Sequence, residues 1–331
     1  MTPTPQSFLS LTAKPARISP GGLLFFLCLF LLNACSGLPL QSEAILAQRP
    51  TAFSKPVELT QVPFFAQEKY QCGPAALAAM MQQQGVNISP DELVDKVYIP
   101  ARQGSLQIEM IAAARQYGLV PYVLDKNVTS LLEELRAGHP VLVLLNLGLD
   151  WIPVWHYAVV VGYDLEQEKI ILRSGTTQRQ VDAMKVFERT WRRAKYWGVV
   201  MLPADQLPVT ASAHDYISSV HPLEKQGQLK PANTAYRTAI KQWPNDRNLQ
   251  MALANNYYAL GDKNASLKQF KQITSQWPDY APALNNIAHL LQEQGNYQQA
   301  KQYAQRAVKH GTPRHMQTYR KTLADIESKL R

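Results

Sequence analysis

From Ala213 onward the sequence repeats itself every 34 residues. Gly227, Gly261 and Gly295 are spaced by that step, as are Tyr236, Phe270 and Ala304, and Ala239, Ile273 and Ala307. Gln242-Trp243-Pro244-Asn245 returns as Gln276-Trp277-Pro278-Asp279. In such a unit glycine ends a first helix, small residues let a second helix approach it, and proline opens the next unit. A helical hairpin of this size cannot bury its apolar face alone, so at least three must stack. The period predicts units at 213–246, 247–280 and 281–314, with a final helix over about 315–330 as the cap. The third unit departs slightly, with Thr312 where proline is expected and Pro313 one place later.

This pattern resembles the tetratricopeptide repeats, which implies a concave surface for binding proteins or peptides and no chemistry of its own. His214, His221, His289, His310 and His315 fall here without metal-ligand spacing and read as surface residues. The chain of 331 residues carries 34 basic and 25 acidic side chains, a formal charge of +9. Residues 213–331 hold 16 of the basic and 8 of the acidic groups, so +8 of the charge belongs to the repeats. That surface suits an acidic peptide, an acidic protein partner or an anionic envelope surface.

Lys14 and Arg17 precede a ten-residue apolar run, Leu23 to Leu32, and then Asn33-Ala34-Cys35. These are the parts of a secretory signal, and the run is too short to span a bilayer. Leu32-Asn33-Ala34-Cys35 resembles the lipobox of bacterial lipoproteins. The resemblance implies removal of residues 1–34, lipidation of Cys35 and anchoring in the cell envelope. Ser36 after the cysteine then favours the outer membrane, facing the periplasm. Outside the cytoplasm a nucleic-acid partner is not expected. Cys28 leaves with the signal and Cys35 becomes a thioether, so Cys72 is left as the mature chain's one free thiol. It cannot enter an intramolecular disulfide, in a compartment that would permit one.

Between signal and repeats, residues 35–60 read as a polar tether and 61–205 as a folded domain. Ala75–Gln84 is a strong helix stopped by Gly85, with Gly73-Pro74 suited to its first turn. Cys72 therefore stands at or just before a helix N-terminus, where the free N–H groups favour thiolate over thiol. Ser89-Pro90-Asp91-Glu92 reads as the start of another helix. Ser105 is expected to cap a helix running to about Tyr117, and Thr129 one over Ser130–Ala137. Pro140–Asn146, His156–Tyr163 and Lys169–Arg173 are apolar runs of strand length, the last two joined as a hairpin by Asp164–Glu168. Helices first and sheet second predict an α+β domain, followed by the all-α solenoid. A cysteine nucleophile needs a base within reach and donors for the oxyanion; His156, at the start of its strand, is the candidate base. Trp151 and Trp155 flank Pro153 just before it and could line a cleft or pack. His139, Trp191 and Trp197 read as structural.

Gln67, the run Cys72-Gly73-Pro74-Ala75 and the run His156-Tyr157-Ala158-Val159-Val160-Val161-Gly162-Tyr163 resemble the C39 bacteriocin-processing and C39-like peptidases, which have a papain-like fold. Over about 60–203 the resemblance implies Cys72 as nucleophile, His156 as general base and acid, and Gln67 as oxyanion donor beside the Cys72 N–H. Two departures stand out. The family's Gln commonly sits one residue further upstream, which leaves Gln71 as an alternative. The family's third member, an Asp followed by Pro after the histidine strand, is replaced by Arg173-Ser174-Gly175. Ser174 could orient the imidazole, while Asp164 lies at the far end of its strand. The chain has no P-loop and no set of membrane spans, so the transporter fusion and leader cleavage of some family members do not carry over. The expected activity is hydrolysis of peptide bonds without metal or cofactor. The alternatives are a non-catalytic peptidase-like adaptor, or an amidase or transglutaminase-type acyl transferase using the same Cys and His.

Overall fold

The computed structural model describes residues 40–67 and 71–331; the expected signal segment and Cys35 lie outside the described residues. In chain order the first part holds α1 (Gln41–Gln48), β1 (Val57–Glu58), α2 (Cys72–Gln83), α3 (Pro90–Val97), β2 (Tyr98–Ile99), β3 (Gly104–Ser105), α4 (Gln107–Gln116) and β4 (Val120–Val123). Next come α5 (Val128–Arg136), β5 (Val141–Asn146), β6 (Trp155–Asp164), β7 (Lys169–Ser174), β8 (Thr177–Ala183), α6 (Met184–Arg193) and β9 (Gly198–Leu202). The repeats supply α7 (Ala213–Lys225), α8 (Leu229–Gln242), α9 (Arg247–Ala259), α10 (Lys263–Gln276), α11 (Ala281–Glu293), α12 (Tyr297–His310) and α13 (Met316–Ser328).

An antiparallel sheet runs β4-β9-β5-β6-β7-β8, with β1 paired to the far end of β6. Both faces are covered, which explains why β5 and β6 read as nearly unbroken apolar runs. On one face α2, α3 and α4 bury Leu77, Met80, Leu93 and Met110 against Leu142, Tyr157 and Val159. The other face carries α5 and α6 with Leu131, Phe187 and Trp191. That second core does not stop at the sheet. Tyr216, Val220 and Leu223 of α7, Tyr236 of α8 and Leu249 of α9 belong to it, so the first repeat is fused to the sheet by shared packing. Gln228 Nε2 also donates to the Gln116 carbonyl at 2.9 Å. Buried Glu134 accepts from the Thr210 N–H and hydroxyl at 2.8 and 2.6 Å and contacts His139 Nδ1 at 2.6 Å. His139 is therefore structural.

The repeats follow the sequence period. Each unit is a helix pair, and Gly227, Gly261 and Gly295 sit at φ of 80°, 82° and 78°, in the left-handed region that favours glycine. Tyr236, Phe270 and Ala304, and likewise Ala239, Ile273 and Ala307, are buried at the helix contacts.

Several expectations are corrected. The described part of the expected tether, from Gln41 on, is folded onto the sheet. Glu188 accepts the N–H groups of Gln41 and Ser42, both at 2.7 Å, capping α1 across 146 or more residues. Phe53 is buried against Tyr163, and β1 pairs Val57 with Tyr163 and Glu58 with Gly162. A Cβ on Gly162 would stand 2.2 Å from the Val57 carbonyl oxygen, so only glycine lets this strap cross β6. Ser105 does not cap α4, whose N-cap is Leu106 without a side-chain bond; Ser105 lies in β3, its hydroxyl buried. For α5 the cap is Asn127, two residues before Thr129, accepting from Ser130 N–H at 2.7 Å. Ser89 and Glu92 do form the reciprocal capping box of α3.

Candidate active site

Cys72 is the first residue of α2, and Gln71 is the N-cap with no side-chain bond to the helix. Residues Gly73–Met81 are all buried, because a run of alanines and two methionines lets α2 lie close against the sheet. The helix start is therefore held by core packing. Beside it opens a cavity of about 710 Å³. Gln67, Cys72 and His156 line it together, with Arg102, Ser105, Leu144 and Trp155 among the other walls. Trp151 is not among its lining residues; it is 76% exposed at the tip of the loop before β6. Trp191 is fully buried and Trp197 packs at the core edge, as expected.

His156 Nε2 lies 2.9 Å from the Ser174 hydroxyl, which terminates β7 beside β6. Asp164 closes the far end of β6, where it accepts the Gln167 N–H at 2.9 Å. Of the two candidates to orient the imidazole, Ser174 makes the contact. Gln67 reaches the cavity through a segment pinned at several points. Its N–H donates to the Gly175 carbonyl at 3.1 Å. Buried Arg173 donates to the carbonyls of Thr60 and Val62, both at 3.3 Å, and to that of Gln178 at 2.8 Å. Arg173-Ser174-Gly175 thus holds the Gln67 segment with its outer members and the imidazole with its middle one. Sequence reasoning missed Arg173; the available signal was a guanidinium in an otherwise apolar strand, which had to find acceptors. Gln71 is not among the residues that line the cavity.

The electrostatics correct one expectation. Burial pushes the Cys72 thiol above its ordinary range, while backbone N–H groups of Tyr157, Gly73 and Cys72 pull it partly back. The helix N-terminus does not outweigh desolvation. Burial also lowers His156, so desolvation works against the charged form of both the thiol and the imidazole.

A second cavity, about 260 Å³, lies in the repeats between α9 and α11, lined by Asn255, Tyr258, Phe270, Asn286, His289 and Leu290. Lys263 and His289 both pair with Glu293, at 2.9 and 3.4 Å, so this groove is nearly neutral and the excess positive charge lies elsewhere on the repeats. Among the described residues no group of three or more His, Cys, Asp or Glu could hold a metal ion.

Residues 59–199 match the sequence model of the Peptidase_C39 like family, and residues 283–309 match a tetratricopeptide repeat model. A C39-like peptidase of Bacillus anthracis is 19% identical, over 45% of this chain and 98% of its own, with a TM-score of 0.39. The tetratricopeptide domain of Sgt2 from Aspergillus fumigatus is 16% identical over 36% of this chain and 78% of its own, with a TM-score of 0.33. The Yersinia enterocolitica type III secretion chaperone SycD, solved with a peptide of the translocator YopD, is 13% identical over 36% and 94%, with a TM-score of 0.34. No curated protein matches the chain.

Proposed function

We propose that this C39-like peptidase region, joined to tetratricopeptide repeats, is a cysteine peptidase that cuts peptide bonds through an acyl-enzyme. The observation that carries the reading is the meeting of Gln67, Cys72 and His156 on one cavity, with the imidazole fixed by Ser174. With Nε2–H donating to the Ser174 oxygen, Nδ1 is the nitrogen left to take the thiol proton. As Cys72 Sγ attacks the substrate carbonyl, its proton passes to His156. The developing oxyanion is met by the Gln67 side-chain amide and the Cys72 N–H. Collapse expels the amine, which takes the proton from His156. Water, deprotonated by His156, then attacks the thioester and releases the acid, restoring the thiol.

In the same reading Cys35 carries the lipid, the protein sits in the bacterial envelope, at the outer membrane facing the periplasm, and the repeats hold a substrate or an acidic protein partner. A non-catalytic adaptor is the second reading, favoured by the raised thiol and by a hydroxyl where the family has a carboxylate. One experiment separates them: cleavage of a peptide library by the mature chain and its Cys72→Ala variant, with thiol labelling alongside. Products that vanish with Cys72→Ala support the peptidase. An unreactive Cys72 with no cleavage leaves the adaptor, and product only with an added amine acceptor indicates a transferase.

A further inference from the structure

Among the described residues, the loop joining β5 to β6 exposes its apolar side chains in an unusual concentration. Leu147, Leu149, Trp151, Ile152, Val154 and Trp155 are each at least half exposed within nine positions, and Trp151 reaches 76%. The loop is stiff. Buried Asn146 accepts the N–H groups of Gly148 and Val154 at 3.0 and 2.9 Å and donates to the Leu149 carbonyl at 3.2 Å. Leu147 N–H bonds the Val154 carbonyl at 2.8 Å and Leu149 N–H that of Ile152 at 3.1 Å, extending the hairpin to its tip. A Cβ on Gly148 would stand 2.3 Å from the Ile152 carbonyl oxygen, so the finger is built for this shape. Exposed apolar surface on a rigid support, with two tryptophans, fits an interface that is apolar on one side and wet on the other.

The strand directions fix what lies nearby. β5 ends at this loop; β9 begins and β4 ends toward the same end of the sheet, with Gly198 level with Val143 and Leu124 N–H on the Gly198 carbonyl at 3.0 Å. Just beyond, the Lys126 carbonyl and the Val128 N–H hold the Gln41 side chain at 3.1 and 2.8 Å. The chain therefore enters the folded body at the same end of the sheet. Only residues 36–40 separate Gln41 from Cys35, a reach of about 20 Å at full extension.

We propose that the Leu147–Trp155 finger is a membrane-contacting element that inserts its tip into the lipid interface and holds the cleft mouth at the bilayer surface. The proposal rests on the reading of Cys35 as a lipid anchor, whose several acyl chains would hold the folded body at a membrane. Pro153, Val154 and Trp155 line the cleft while Trp151 and Ile152 do not, so the apolar surface extends beyond what a peptide in the cleft would cover. Substrates presented at the membrane would meet the cleft first. Asp150 is the finger's one charge, so the contact is apolar and owes nothing to anionic lipid.

The test uses the mature chain from residue 35 with Cys35→Ser, so that neither lipid nor the Leu23–Leu32 run masks the finger, and vesicles of phosphatidylcholine alone or with phosphatidylglycerol. Wild-type finger should bind both, with tryptophan emission quenched by brominated lipid and little change in high salt. Trp151→Ser with Ile152→Ser should weaken binding about tenfold or more, while Val209→Ser, equally exposed elsewhere, should not. Cleavage of a soluble peptide should be unchanged by the finger variant. No vesicle binding, equal binding by the variant, or binding abolished by salt would each overturn the proposal. So would a loss of soluble-peptide cleavage in the finger variant, which would make the finger a substrate rim. Failure of the peptidase or anchor readings appears separately, as absent cleavage by wild type or an unlipidated mature N-terminus.

Discussion

In the repeats, neighbouring helices come from one 34-residue unit or the next, and the contacts that define each unit lie close in sequence. The cleft is assembled the opposite way: Gln67, Cys72, His156 and Ser174 arrive from four separate segments and meet because β6 and β7 pair in one sheet on which α2 packs. Local construction tolerates change one unit at a time, and loses stability unit by unit. A site built from distant segments depends on register, so a small displacement anywhere along its supports reaches the chemistry. The two modes meet at α7, which belongs to the first repeat by sequence and to the sheet by packing.

The largest expected effect is at the cleft. Cys72→Ala should reduce hydrolysis by on the order of 10⁴-fold or more while leaving the fold and any repeat-bound partner in place; fluorogenic peptide cleavage and circular dichroism check this. Residual cleavage at wild-type rate would break the contrast by removing chemistry from the cleft. Next in size, Tyr216→Ala at the seam should cost about 3–5 kcal/mol. It should lower the unfolding of sheet and first repeat together in calorimetry, whereas Phe270→Ala should act mainly on the second and third units. Equal behaviour of the two variants would mean that the seam has no special standing.

Smaller effects sharpen how the cleft is held. Arg173→Met leaves the Thr60, Val62 and Gln178 carbonyls without their donor, which should cost about 2 kcal/mol of stability. It should also lower kcat more than it raises KM, with partial rescue by Arg173→Lys. Ser174→Ala removes one neutral hydrogen bond from the imidazole and should lower kcat about tenfold, with KM little changed. The smallest effect is on pH. Because burial lowers His156, its ring stays neutral further into acid, and the acid limb of kcat/KM should fall below the ordinary histidine value near 6.5. With the thiol raised, no thiolate absorbance should appear at neutral pH. A thiolate band there would restore the ion-pair picture suggested by the helix start.

How much of this could be read in advance follows the same division. Gly227, Gly261 and Gly295 announce the repeats because each acts within its own turn. Cys72 and His156 were legible from the text around them, and the strands around His156 from unbroken apolar runs. The Ser174 contact was open to a rival, Asp164, because it depends on the register between β6 and β7, which shifts between Val160 and Gly162. Residues 41–60 looked like a tether because Ile45, Leu46 and Phe53 are their few buried apolar side chains. What fixes α1 is Glu188, more than a hundred residues away, and no local pattern announces such a cap. Asn127 displaced Thr129 as the α5 cap for a local reason, the better fit of a short amide acceptor to the Ser130 N–H.

The shared core of α7 with the sheet has a geometric consequence. A solenoid on a hinge would sweep its groove through many positions, and the cut it delivered could fall anywhere along a bound chain. Here Tyr216, Val220 and Leu223 tie the joint into the core of the sheet. If the repeats grip what the proposed cleft cuts, the Asn255–His289 groove and Cys72 would act as the two marks of a ruler. On that reading a polypeptide held in the groove would have to bridge the distance to Cys72, and its scissile bond would be set by counting residues from the grip.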